Sequence, residues 1–220
     1  MIRQQISDML RLQDKLNQVV NPDWMAAGYS WYRAIYMEAA EMLDGLGWKW
    51  WKADGHYTRG QMQLELVDIW HFAMSHILAL HEGDFEAAAT EIAAYFTKLE
   101  EDPDAFGEIT GVETRKLIDL LAGSAAIQRQ LNGPAFAQLM VRFDLTWDRL
   151  YEIYLGKNVL NLFRQANGYK EGTYRKMWNG EEDNVVLERY MKLFPEHGPE
   201  QLLSVLGAEY ALTAPKVALQ

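Results

Sequence analysis

The residues best suited to chemistry in this chain are two acidic doublets, Glu38-Ala39-Ala40-Glu41 and Glu65-Leu66-Val67-Asp68. At this spacing both carboxylates of a doublet stand on one face of a helix. Their number says nothing: 31 acids in 220 residues give about four such pairs by chance, and the chain has four, at 38/41, 41/44, 65/68 and 101/104. The surroundings are informative. Glu65 and Asp68 lie among Leu64, Leu66, Val67, Ile69, Trp70, Phe72, Ala73 and Met74, a helix apolar almost all round, which predicts burial. Glu38 and Glu41 sit between Tyr36, Met37, Met42 and Leu43. Buried carboxylates need partners, because an uncompensated charge costs several kcal/mol even after relaxation. Two antiparallel helices would gather four of them, and a divalent cation would neutralise the cluster. An oxygen-only ligand set favours Mg²⁺ or Mn²⁺ over zinc. The competing reading pairs these acids with Arg33, Lys49 or Arg59, or leaves them on a solvated face.

A second signal is positive charge. Lys157, Arg164, Lys170, Arg175 and Lys176 fall within twenty residues that contain one acid, Glu171. Lys157, Asn161 and Arg164 are spaced i, i+4, i+7, so one helical face presents an ammonium, an amide and a guanidinium. Such a face suits a polyphosphate, which takes several charge-assisted donors at once. The alternative is a set of surface bridges to Glu181, Glu182 and Asp183. Acids for a metal and cations for phosphate point together to a nucleotide.

The third signal is aromatic and amide. Trp48-Lys49-Trp50-Trp51-Lys52 offers a ring to stack on a base, and Gln13 and Asn17, at i, i+4, offer the donor and acceptor sets that read a pyrimidine edge. Tryptophans that anchor helix packing or a dimer interface would look the same. His71, His76 and His81, five apart, scatter round a helix and do not suggest a histidine-rich metal site.

These residues have to be carried by helices. The apolar period is helical nearly throughout, with no alternating β-branched stretch closed by an Asn-Gly or Asp-Gly hairpin turn, so an all-α helical bundle is expected. Helices are expected to end before Asn21-Pro22, to run from an N-cap at Ser30 to Gly45 and Gly47, and to cover about 61–80, 84–100, 112–131, 134–148 and 150–164. Glu101-Asp102-Pro103-Asp104 and Asn132-Gly133-Pro134 are the expected breaks. The glycine- and asparagine-rich run near 167–184 reads as an ordered functional loop. Short helices follow it, and the tail is expected to fray at Ala214-Pro215.

With 49% apolar residues the chain can build one sizeable core, and a single domain over 1–220 is expected. The net charge of −10 disfavours nucleic acid and anionic membrane surfaces as partners. The absence of cysteine excludes disulfides, zinc–thiolate and iron–sulfur sites and a thiol nucleophile. No run approaches the roughly 18 apolar residues of a spanning helix, and a soluble, cytoplasmic protein is expected.

In blocks, the chain resembles the dimeric all-α dUTPases of the all-α NTP pyrophosphatase superfamily. That superfamily is marked by E-x-x-E, about two dozen residues, then E-x-x-D; here the doublets are 23 residues apart. Segments 12–17 (LQDKLN), 36–44 (YMEAAEMLD), 48–52 (WKWWK), 65–72 (ELVDIWHF) and 156–184 are similar to the dUTPase branch, the last of these most specifically. Residues 84–150 and the tail after 185 are read as diverged or unmatched. The resemblance implies hydrolysis of dUTP, and of dUDP, to dUMP by a Mg²⁺-dependent homodimer, with Mn²⁺ as a substitute. It implies that Glu38, Glu41, Glu65 and Asp68 hold metal, and that Glu38, or next Glu41, orients the attacking water. Lys157, Arg164 and Lys176 would grip the phosphates. Asn161 and Tyr169 would lie by the deoxyribose, and Gln13, Asn17 and Trp51 would recognise uracil. Two alternatives remain: a related pyrophosphatase for another base, such as dCTP, and a non-enzymatic helical interaction protein.

Overall fold

The computed structural model describes residues 2–52, 57–102 and 111–213. Among them, helices α1 (Ile2–Val20), α2 (Trp31–Gly45), α3 (Arg59–Leu80), α4 (Phe85–Glu101), α5 (Thr114–Gln128), α6 (Gly133–Arg142) and α7 (Trp147–Ala166) precede a two-stranded ribbon, β1 (Met177–Trp178) and β2 (Glu181–Glu182). Helices α8 (Asp183–Leu193) and α9 (Pro199–Leu212) follow it. The chain is all-α, as its periodicity predicts. The expected fraying at Ala214-Pro215 and the Pro103-Asp104 half of one expected break lie outside the described residues.

Local signals account for most boundaries. Thr58 and Gln61 form a capping box at the start of α3, and the Asp84, Asn132 and Thr146 side chains cap α4, α6 and α7. Ser30 occupies the N-cap position of α2 but makes no side-chain cap bond. The sixth and seventh helices divide earlier than their apolar pattern suggests: α6 stops at Arg142, Asp144 takes a left-handed conformation, and Thr146 starts α7. One small ribbon sits within the all-α frame. Asn179-Gly180 does close a hairpin, both residues at positive φ (51° and 92°) as a two-residue primed turn requires. Its strands are only two residues long, so they carry no alternating pattern.

Helix α3 is the hub. Its apolar surface continues almost all round, and eleven of its residues are buried, among them Leu66, Val67, Ile69, Trp70 and Met74. It packs against α1, α2, α4, α6 and α7. Glu38 meets Glu65 and Asp68, Trp31 meets Phe72, and Gly45 meets Tyr57, so α2 and α3 run antiparallel. The main core joins α1 to α7. A smaller cluster around Leu160, Phe163, Trp178, Leu187 and Leu206 seats the ribbon, α8 and α9 on the far half of α7. The 167–182 segment is tied into this cluster: Arg175 donates from Nε to Thr213 and from Nη2 to the Tyr210 carbonyl, and its guanidinium lies 4.2 Å over the Tyr210 ring.

Candidate active site

Antiparallel packing of α2 on α3 brings three of the four sequence-predicted acids together. One carboxylate oxygen from each of Glu38, Glu65 and Asp68 lies within 4.8 Å of the others. Glu41 is one turn further along α2 and exposed, outside this triad, although its charge still acts on both glutamates. The cation that meets the cluster comes from α7. Lys157 Nζ lies 2.8 Å from Asp68 Oδ2 and 2.8 Å from Asn184 Oδ1, its side chain 1% exposed. Of the alternative partners, Arg59 pairs with Asp144 and Lys49 with Asp44.

One ammonium does not balance three carboxylates. Burial first, then repulsion from Asp68 and the neighbouring glutamates, pushes the Glu38 carboxyl up to about 7 and the Glu65 carboxyl up to about 8. The two titrate as a pair and share a hydrogen bond, so near neutrality the cluster holds protons that a dication would displace. Three hard oxygen donors, crowded, part-buried and short of positive charge, suit such an ion.

Unfolded glutamates lose their protons near pH 4.5, whereas the folded ones hold theirs to 7–8, so this pair makes the metal-free fold less stable as pH rises through that range. Below about 6.5 the trend is opposed by His71 and His76, whose protonation in the fold is disfavoured by burial. In EDTA, therefore, the thermal midpoint should fall by roughly 5 °C between pH 6.5 and 8, and Mg²⁺ should restore it most strongly at pH 8. Calorimetry across that window checks this; a flat profile that Mg²⁺ leaves unmoved would overturn the metal-site assignment.

Beside the triad lies a cavity of about 330 Å³ with Gln13, Asn17, Trp24, Trp31, Glu38, Asp68, His71, Asn161, Arg164 and Tyr169 on its walls. A larger cavity, about 680 Å³, opens between α3, α4 and α6, but its walls are mostly apolar, including Trp70, Met74, Ile92 and Phe136, and the triad does not face it. We take the smaller one as the site, since it holds two carboxylates of the triad together with Arg164 and the Gln13, Asn17 and Asn161 amides.

At one end of this cavity the polar groups form a chain. Gln13 Nε2 donates to Asn17 Oδ1 (3.0 Å), Asn17 Nδ2 to Ser75 Oγ (3.0 Å), and Ser75 Oγ to the His71 carbonyl (3.1 Å). His71 Nδ1 is 2.7 Å from Gln13 Oε1, and the Tyr154 ring stacks on the imidazole at 4.1 Å. Burial drives the imidazole pKa down to about 3, so the ring is neutral. Gln13 Oε1 can only accept, hence Nδ1 carries the proton and Nε2 keeps a lone pair. Nε2 is buried and has no partner among the described residues, an unsatisfied acceptor on a residue of the cavity wall. Sequence reasoning set His71 aside, because its partner Gln13 is 58 residues away.

At the other end the α7 cations are already engaged. Arg164 forms a two-pronged pair with Asp183, Nε to Oδ2 at 2.8 Å and Nη2 to Oδ1 at 2.7 Å, while Nη1 donates to Asn161 Oδ1 at 3.0 Å. Burial disfavours its charge, but Asp183 outweighs burial and raises the guanidinium pKa. Tyr169 lies beneath this group, 5.7 Å from its carbon to the ring centroid. Gly168 makes the turn at φ 87°, where a Cβ would also strike Thr173 Oγ1. Lys170 Nζ then bonds the Val20 carbonyl at the end of α1 (2.7 Å), which holds the segment across the cavity rim. Glu65 and Lys157 touch the cavity's acids without lining it, and besides Glu41 two further expected residues lie away from it. Trp51 is 56% exposed after α2 and packs edge-on to Trp48 and Trp50; Lys176 turns toward Glu182, 3.8 Å away. The surface-bridge alternative thus describes Lys176.

A family model described as dUTPase matches residues 5–169, three quarters of the chain and the whole span from Gln13 to Tyr169. The chain belongs to the dUTPase family. It is of the all-α type and is a dUTP diphosphatase, which sets aside the non-enzymatic alternative. The matched span includes 84–150, read from the sequence as diverged, and ends before Lys176, Asp183 and Asn184. Comparison with curated proteins finds no match. Members of the family generally use a divalent metal, in keeping with the triad. Among the described residues no helix is long and apolar enough to cross a membrane.

Proposed function

We propose that the α1–α2–α3–α7 cavity binds a deoxyuridine nucleotide and hydrolyses dUTP to dUMP and diphosphate, and dUDP to dUMP and phosphate, with Mg²⁺ held by Glu38, Glu65 and Asp68. The observation that carries this is the convergence on one cavity of Glu38 and Asp68 from the acid triad, Arg164 and the His71–Gln13–Asn17 chain. A dication bound there would offset negative charge on phosphate oxygens and acidify water. Water adds to a phosphorus as the bridging P–O bond breaks, and its proton passes to a carboxylate. Glu38, on the cavity wall, suits that role better than Glu41, which stands outside and adds negative charge at the rim. Lys157 and Arg164 hold the phosphates, and Asn161 and Tyr169 flank the sugar.

For the base, the free His71 Nε2 favours uracil, whose N3–H is a donor; cytosine presents a lone pair at that position. Gln13 and Asn17 complete the edge recognition. We extend the reading to one domain per chain and a cytoplasmic homodimer. Exposed Trp50 and Ile127 leave apolar surface for a second copy, and the substrate belongs to the cellular nucleotide pool.

Release of diphosphate or phosphate from dUTP, dUDP, dCTP, dTTP and UTP, with Mg²⁺, Mn²⁺ or EDTA, tests the proposal. Turnover should be confined to dUTP and dUDP, be fastest with Mg²⁺, be supported by Mn²⁺ and vanish in EDTA. Turnover of dCTP would overturn the uracil assignments, and turnover in EDTA would overturn the metal.

A further inference from the structure

We propose that Asp183 is a positioning residue for dUTP hydrolysis: it fixes the Arg164 guanidinium so that the Nη1 edge, with Asn161 beside it, faces the phosphate chain. The proposal rests on the assignment of Arg164 to phosphate binding made above. Asp183 is fully buried in the first turn of α8, a favourable place for an anion. Its two oxygens take the Nε and Nη2 hydrogens of Arg164, and Oδ2 also accepts from the Tyr174 hydroxyl at 2.7 Å. That grip leaves Nη1, bonded to Asn161 Oδ1, as the part of the fork turned away from the carboxylate. Arg164 and Asn161 both line the cavity that Glu38 and Asp68 share. The adjacent Asn184 Oδ1 accepts from Lys157 Nζ at 2.8 Å and Arg164 Nη2 at 3.3 Å, so one turn of α8 touches both of these cations of α7.

Charge alone does not explain this arrangement. A guanidinium used only for its charge would attract a triphosphate more strongly without a carboxylate against it. The pair gives up attraction and supplies orientation, removing most of the rotamer freedom that a long arginine would otherwise lose on binding. Asp183 thus acts on substrate through Arg164 while lying beyond the family-matched span, bonded to Tyr174, which packs against the second, smaller core cluster.

Steady-state kinetics and thermal melts on Asp183→Asn, Tyr174→Phe, Arg164→Gln and the Arg164→Gln/Asp183→Asn double variant test this. Asp183→Asn should lower kcat/KM for dUTP about 30-fold, mainly through KM, and Tyr174→Phe about threefold in the same sense. The double variant should be no worse than Arg164→Gln alone. A lowered melting temperature with unchanged kcat/KM, or losses that multiply in the double variant, would make Asp183 merely structural and overturn the inference. If Asp183→Asn does not fold, Tyr174→Phe decides: an unchanged KM overturns the inference. Full kcat/KM in Arg164→Gln would instead remove the phosphate role of Arg164, and this inference with it.

Discussion

Glu65→Gln is expected to lower kcat for dUTP by at least about 10³-fold while leaving the metal-free protein as stable as the parent, or more so. The two effects have opposite signs because one carboxylate does two things. In the metal-free fold Glu65 is crowded by Asp68 and Glu38 in a part-buried site, and burial with repulsion pushes its pKa up to about 8. A neutral amide of the same shape relieves that repulsion and needs no counter-ion. For catalysis the same change removes one of three close oxygens that a dication would grip. Activity with Mg²⁺ and melting in EDTA, measured together, separate the effects. Normal hydrolysis would show that the triad does not hold the metal, and a large fall in metal-free stability would show that Glu65 is a structural ion-pair member.

Lys157→Met should have the next largest effect. Methionine keeps the apolar stem and most of the volume while removing the only ammonium found against the triad among the described residues. Asp68, part-buried, is left without its 2.8 Å partner, and breaking a buried pair from one side costs up to about 3–5 kcal/mol. The metal-free midpoint should fall by about 10 °C, and Mg²⁺ should recover much of the loss by taking over the neutralisation. Hydrolysis should fall by about 10²–10³-fold even at saturating Mg²⁺, since the charge-assisted donor to phosphate is gone. Melting with and without Mg²⁺ and dUTP kinetics check both parts. A destabilised variant with full activity at high Mg²⁺ would restrict Lys157 to the role of counter-ion.

The helices were legible in the residues because their determinants are local. An apolar residue every third or fourth position and a Ser, Thr, Asp or Asn ahead of it act within one or two turns, so α1 to α5 follow from the pattern. The acids were legible for the same reason: two carboxylates in an apolar helix are anomalous wherever that helix goes. The Asn179-Gly180 hairpin was also written locally, but in strands too short to show an alternation.

Which members of each set converge depended on contacts between distant segments. Glu38 and Glu41 are equivalent by spacing, and only the line along which α2 meets α3 selects Glu38 for the triad. Three histidines five residues apart are likewise equivalent until α1 sets Gln13 against one of them, which fixes the tautomer of His71 and frees its Nε2. The basic island reads as five available cations, yet the fold spends Arg164 on Asp183 and Lys157 on Asp68 and turns Lys176 outward. Helical period, caps and anomalous acids are properties of neighbours along the chain and survive in a string of letters. Burial, pKa and hydrogen-bond polarity belong to groups 19 to 89 residues apart, and come into being only when tertiary packing excludes water between them.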